Sequence, residues 1–368
     1  MARILTIKDV EAAVAGGSIF AAGGGGWPDH GRMLGTAAVL AGQPELVSLD
    51  EVPDDAIIAT AAAIGAPAGT TEWEMRGVDY VRAVELLEQA LGKKVYGLII
   101  GQNGMSSTLN AWLPGAILGT KVIDAVGDIR AHPTGDMGSI GLADSPDATI
   151  QTAAGGNRSQ NRYIELVVRG ATAKVSPILR TASDMSGGFI ASCRNPVPAS
   201  YVRKHAALGG ISMALALGER ILAATPKGGA AVLDAICDET GGSLIGRGIV
   251  VSKAVQYTVE AFDIGTIQVG TGRDASILHV MNEYMAVTDL DGGRMASYPD
   301  VITTLDAGGR PISVGQVREG MELFVLRVRK DLIPLSASVT DPSVYPVVEK
   351  ALGLDLTSYA LGRVADKQ

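Results

Sequence analysis

The sequence predicts an α/β protein: an N-terminal doubly wound α/β sandwich domain whose sheet is covered by helices, followed by a β-rich, small barrel-like domain. Three observations predict it. Residues 56–64 form an unbroken apolar run bounded by Asp54-Asp55 and Gly65-Ala66-Pro67, the pattern of a strand buried on both faces. Residues 77–91 then place Val78, Val81, Val84, Leu87 and Leu91 at helical spacing, with Glu85 and Glu88 outward and Gly92 closing the helix. After Gly241-Gly242 the texture changes to short β-branched runs separated by hairpin signals, Asp289-Leu290-Asp291-Gly292-Gly293 and Asp306-Ala307-Gly308-Gly309.

Taken in order, Thr6-Ile7-Lys8-Asp9 reads as a capping box for a first helix that Gly16-Gly17 closes. Residues 18–22 read as a buried strand, and apolar spacing turns helical again from Arg32. Gly23-Gly24-Gly25-Gly26-Trp27-Pro28-Asp29-His30-Gly31-Arg32 therefore reads as a strand-to-helix turn. Glycines there let a ligand or another backbone come close, and a helix N-terminus offers free N–H groups. Neither the Walker A pattern nor the dinucleotide fingerprint fits this stretch, so no nucleotide cofactor is expected. Residues 94–100 read as a strand ending in Gly101-Gln102-Asn103-Gly104, residues 111–118 as a helix, and 122–124 as a short strand leading into the 124–136 loop. Residues 151–162 read as a polar surface loop, 163–169 as a strand and 200–224 as one long helix. In the β-rich part the expected strands are 244–251, 254–262, 266–269, 276–281, 285–288, 301–305 and 321–328. A boundary at 168/169 gives two domains, 1–168 and 169–368. The second has a helical lead-in at about 197–224, a β-rich part at about 240–330 and a closing helix at about 344–352.

Composition excludes several function classes. A formal net charge of −8, with no basic stripe, argues against nucleic acid as partner. No run reaches the roughly 18 apolar residues of a membrane span, and the N-terminus lacks a signal-peptide core, so a cytoplasmic protein is expected. Cys193 and Cys237 are isolated, which supports neither a disulfide framework nor a thiolate metal site. Homo-oligomerisation is the generic expectation for a chain of this size.

In a doubly wound sheet, ligands bind beyond the carboxyl ends of the strands. Three polar turns fall at that edge: 23–32, 101–107 and 124–136. His30, in the first turn of its helix, is held neutral by the dipole, while His132 shares a loop with Asp124, Asp128 and Asp136. Asp124, at the end of an apolar run, reads equally as a rigidly held carboxylate or as a helix N-cap. Gln102 and Asn103 could donate to a carbonyl, Arg32 could clamp a carboxylate, and one of the residues in Asn282-Glu283 and Pro299-Asp300, Asn282 foremost, could reach an interdomain cleft. Gly24, Gly25 and Gly26 offer backbone amides to a ligand.

Several motifs together resemble the S-methyl thiohydantoin desulfurases, a family associated with hydantoinase and oxoprolinase genes. They are Gly23-Gly24-Gly25-Gly26-Trp27-Pro28 with Gly31-Arg32, then Val122-Ile123-Asp124-Ala125 through Arg130-Ala131 and Pro133. Gly209-Gly210-Ile211-Ser212 with Gly218-Glu219-Arg220, Gly241-Gly242-Ser243-Leu244-Ile245, Asn282-Glu283, Pro299-Asp300 and Gly320-Met321 follow in the same order. The chain departs from the family pattern at Gln102-Asn103-Gly104-Met105 and at His132-Pro133-Thr134, where two carboxylates are expected. Either the substrate differs, or His132, Asp128 and Asp136 take over.

The resemblance implies hydrolysis at C2 of a small thiohydantoin- or hydantoin-type cyclic amide, sulfur giving way to oxygen. Such chemistry could use a divalent metal, zinc or manganese, near His30, Asp124 and His132, with the same three residues as catalytic groups. The alternatives are a non-catalytic binding subunit of a hydantoinase- or oxoprolinase-type system, and a metal-free isomerase or lyase using Asp124 and His132 as an acid–base pair.

Overall fold

A computed structural model describes residues 2–66 and 72–362 of the chain. Pro67, expected to help close the 56–64 run, lies outside them. The chain begins with strand β1 (Arg3–Ile4), helices α1 (Ile7–Phe20) and α2 (Pro28–Ala41), then β2 (Glu45–Val47) and β3 (Ile57–Gly65). Next come α3 (Gly77–Leu91), β4 (Gly97–Gln102), α4 (Trp112–Leu118), β5 (Lys121–Asp128), β6 (Thr149–Gly155) and β7 (Ile164–Gly170). Helix α5 (Thr172–Met185), β8 (Phe189–Pro198), α6 (Ala199–His205), β9 (Ala207–Leu208) and α7 (Gly210–Ala224) follow.

These strands make one mixed sheet in the order β1-β2-β5-β4-β3-β8-β6-β7, with β9 beside β5. Strands β2, β5, β4 and β3 are parallel, and β8, β6 and β7 extend the sheet antiparallel. The continuous apolar runs are explained by cover on both faces. Ala59, Leu98, Ile100 and Val122 pack with α1, α3, α4 and α7, whereas Ile58, Ile99 and Ile123 pack on the opposite side with Ala199 and Val202 of α6. The sheet draws β8 and β9 from beyond residue 169.

Helix α8 (Gly229–Thr240) leads into the second sheet, built of β10 (Ser243–Tyr257), β11 (Asp263–Val269), β12 (Ser276–Met281), β13 (Glu283–Thr288) and β14 (Arg294–Ser297). It continues with β15 (Val301–Leu305), β16 (Pro311–Ile312) and β17 (Glu322–Val328), and α9 (Pro346–Leu352) and α10 (Thr357–Leu361) close the described chain. All pairings are antiparallel, in the order β14-β13-β12-β11-β10-β17-β15-β16. The first half of β10 pairs with β17 and the second half with β11, so the strand bends through both halves of the sheet around one core of Val250, Ile267, Leu278, Val287, Leu323 and Val325. The two runs expected at 244–251 and 254–262 are thus mostly one strand.

Other expectations give way to tertiary packing. Residues 18–22 are not a strand, because α1 runs through Gly16 and Gly17 to Phe20, and the four glycines lie between two helices rather than between strand and helix. A Cβ at Gly16 would stand 1.8 Å from the Ala214 carbonyl oxygen of α7 and one at Gly17 2.4 Å from the Gly104 carbonyl oxygen, so these glycines let α1 approach α7 and the loop after β4 instead of stopping the helix. The 151–162 segment is not a surface loop over its first half: β6 is paired on both sides and buried. The helix expected at 200–224 divides into α6 and α7: extended backbone at Ala206 ends the first helical run, β9 follows, and Gly209, with φ 74°, is the N-cap of the second. Among the described residues no helix is long and apolar enough to cross a membrane.

Candidate active site

The carboxyl ends of β3 and β4, the loop after β5, α5 and the near edge of the second sheet enclose a cavity of about 370 Å³. That is the size and place expected of a small-molecule site in an open α/β sheet. The Gly-rich turn forms one wall by docking on the loop after β4, where the Gly25 carbonyl accepts from the Ser106 amide at 3.0 Å. Gly25 has φ 72°, and a Cβ there would stand 2.7 Å from the Gly104 Cα. At Gly24 a Cβ would meet the Glu283 carboxyl oxygen at 2.3 Å, so the missing side chain makes room for an acid from the other domain.

Two guanidinium groups face this space. Arg194, on β8, is buried beside Asp136, and its Nε has no hydrogen-bond partner among the described residues. Arg180, on α5, donates from Nη2 to the Pro133 carbonyl at 2.7 Å and lies 4.5 Å above the Phe262 ring, while its Nη1 is buried without a partner among the described residues. Burial lowers both cations, Arg180 to about 10, and an arginine guanidinium stays protonated in proteins. Burial also raises the Asp136 carboxyl, against a hydrogen bond from Ser176 and the charge of Arg194. Glu283 opens β13 and is pushed up to about 8 by burial, with Arg130 and Arg180 opposing the shift. Its Oε2 has no partner among the described residues. A carboxyl group that remains protonated near neutral pH is a proton donor.

His132 lines the same cavity. Its backbone amide donates to Gln102 Oε1 at 3.0 Å, and its Nδ1 faces Asp128 Oδ2 at 3.6 Å. Asp128 is fully buried and accepts from the Tyr298 hydroxyl at 2.7 Å. The arrangement therefore offers a proton acceptor, a proton donor and a concentration of positive charge around one ring-sized space.

Of the residues expected from the sequence, the structure brings Gly25, Gly26, Gln102, His132, Asp136 and Asn282 to the cavity wall. The others do not line it. Asp124 Oδ1 accepts from the Ile211 and Ser212 amides, both at 3.0 Å, so from within β5 it satisfies the first amides of α7, whose own N-cap residue is Gly209. Asn103 is buried and donates to the carbonyls of Ile129 and Gly210, fixing the loop after β4. Arg32 is ion-paired on the surface with Glu11 and Asp29. Gly24 sits against Glu283 instead of offering its amide to the cavity.

His30 lies buried in an aromatic group with Trp73, Tyr80 and Phe189, its Nε2 3.5 Å from the Tyr80 hydroxyl. With Asp124 spent on the first amides of α7 and His30 among aromatics, these two and His132 do not fit a common metal ion. No group of three or more His, Cys, Asp or Glu among the described residues could hold one.

Burial lowers the His30 imidazole to about 4, with Asp79 opposing. The folded state therefore binds fewer protons than the unfolded chain between an ordinary 6.5 and about 4, and stability falls as pH drops through that window. Denaturant titrations at pH 7.5 and pH 5 should show a loss of roughly 2 kcal/mol from this group, and a His30→Gln variant should show a flatter acid limb.

Arg180, Arg194 and Glu283 were not singled out as site residues by sequence reasoning. For Arg194 a signal exists: it is the one charge within the otherwise uncharged run from Phe189 to Pro198. Glu283 belongs to the Asn282-Glu283 pair, which the sequence offers to the interdomain cleft alongside Pro299-Asp300 without marking the glutamate. Arg180 lies on an ordinary amphipathic helix and gives no such signal.

A family model described as S-Me-THD-like, N-terminal domain, matches residues 8–162, and its partner, S-Me-THD-like, C-terminal domain, matches residues 171–334. No curated protein matches the chain. A crystal structure of a protein from Chromobacterium violaceum is similar over 100% of both chains, with a TM-score of 0.71 and 21% identity. At that identity the likeness is one of fold.

Proposed function

From the premise that the chain belongs to the S-Me-THD-like family, we propose that it is a hydrolase for a small thiohydantoin-type ring, exchanging sulfur at ring C2 for oxygen. The observation that carries this reading is the meeting, in one cavity of about 370 Å³, of His132, the protonated Glu283 and the cations Arg180 and Arg194.

For an S-methylated ring the balance is simple. Water adds its oxygen to C2, the carbon–sulfur bond breaks, and the products are the C2 carbonyl and methanethiol. His132 takes one proton from the attacking water and returns it to the ring nitrogen that gains the C2=N electron pair. Glu283 gives its proton to the departing sulfur and recovers one from the C2 hydroxyl as the carbonyl forms. Arg180 and Arg194 hold the negative charge that gathers on the ring as water adds. No step is assigned to a metal, because the residues expected to bind one do not come together.

Incubating the protein with S-methyl thiohydantoin, thiohydantoin and hydantoin tests this directly. Methanethiol from the first, sulfide from the second and hydantoin as common product are expected. Recovery of S-methyl thiohydantoin and thiohydantoin unchanged, with neither methanethiol nor sulfide released, would reject hydrolysis at C2.

A further inference from the structure

Behind His132 lies a chain of contacts that the proposed chemistry does not itself use. Asp128 ends β5, and its Oδ2 stands 3.6 Å from His132 Nδ1 while accepting from the Tyr298 hydroxyl at 2.7 Å. The His132 Nδ1 is buried and has no hydrogen-bond partner among the described residues. A ring nitrogen facing a carboxylate across a gap slightly too long for a hydrogen bond is a half-closed pair, of the kind that tightens when a ligand binds. Tyr298 comes from the C-terminal domain, between β14 and β15. It is fully buried, with the Arg130 guanidinium 5.3 Å from its ring centroid and the Tyr345 ring packed edge-on at 5.9 Å. Its hydroxyl is thereby fixed at the carboxylate of the other domain.

We infer that Asp128 and Tyr298 are positioning residues for His132. The Tyr298 hydroxyl sets the place of Asp128 Oδ2, and that oxygen selects the tautomer with hydrogen on Nδ1, leaving Nε2 to accept the proton of water. The histidine of one domain is then oriented by a tyrosine of the other, so the site is complete only when the two are docked. This assignment rests on the reading of His132 as a base in the proposed function.

The test uses the full chain with ¹⁵N-labelled histidine, the His132 signals being identified by their loss in His132→Gln. Tyr298→Phe should shift the His132 nitrogen signals and lower kcat roughly tenfold with KM within about twofold, as expected for a partner behind a functional histidine. Asp128→Asn should lower kcat by about 10²-fold or more and produce mixed tautomers, and Asp128→Glu should recover part of both losses. A folded Tyr298→Phe protein with unchanged His132 signals, or with unchanged kcat, overturns the assignment. If Asp128→Asn does not fold, Tyr298→Phe decides alone. Should the wild-type protein turn over none of the rings, the proposed reaction fails, whereas the nitrogen signals still decide whether Tyr298 and Asp128 orient the imidazole.

Discussion

Glu283→Gln is expected to abolish most turnover while making the protein more stable. Loss of a positioned general acid costs about 10²–10⁴-fold in rate, and glutamine keeps the shape of the side chain without its transferable proton. Stability moves the other way because burial holds the Glu283 carboxyl at about 8 instead of an ordinary 4.5. The folded state binds more protons than the unfolded chain between these values, so its stability falls as pH rises from about 4.5 to about 8. The penalty is largest above that window. At pH 8 the glutamine variant should be more stable by roughly 4 kcal/mol, and the difference should vanish below about pH 4.5. Thermal or urea unfolding of both proteins at pH 5, 6.5 and 8 measures this slope. The rate should report the same group: wild-type kcat/KM falls above about pH 8, as a proton donor of the free enzyme titrating there requires. A glutamine variant that keeps full activity would remove Glu283 from the reaction.

Arg194→Met is the second large effect expected, a drop of about 10²–10³-fold in kcat. A cation aimed at developing charge in a water-poor cavity acts mainly in the transition state. KM should change less than kcat, and Arg194→Lys should recover little, since a point charge does not reproduce the planar fork. Folding stability is expected to fall as well, because removing one partner of a buried pair of charges leaves the other without its compensation, and Asp136 is the group left behind. Asp136 would lose its neighbouring cation, and its carboxyl, already raised by burial, would rise further. Steady-state kinetics with a parallel unfolding curve separate the two effects. An active Met variant would place the charge stabilisation on Arg180 alone.

The residues that sequence reading found and missed differ in a physical way. Gln102 was legible because it ends an apolar run and His132 because it lies among ionisable residues in the loop after another, and in an open α/β sheet such positions gather at one rim. Asp124 satisfied the same rule and still points elsewhere, because the α7 N-terminus arrives from a distant part of the chain and its amides take the carboxylate. Arg32 and His30 flank the Gly-rich turn closely in sequence. The helix they share turns one outward to Glu11 and the other inward to Trp73 and Tyr80. Glu283 became meaningful only opposite Gly24, a contact between two domains that no local pattern records.

By itself the sequence determined the covered strand β3, the amphipathic helix α3, the hairpin turns of the second sheet and the collection of polar loops at one sheet edge. Each follows from hydrophobic period and turn chemistry within a short window. Tertiary structure alone decided that Gly16 and Gly17 lie within a helix, that β8 enters the first sheet beside β3, and that two arginines and a raised carboxyl meet His132. Those outcomes depend on which surfaces pack together. Packing sets both the burial that shifts Glu283 and the close approach that demands a glycine at position 24.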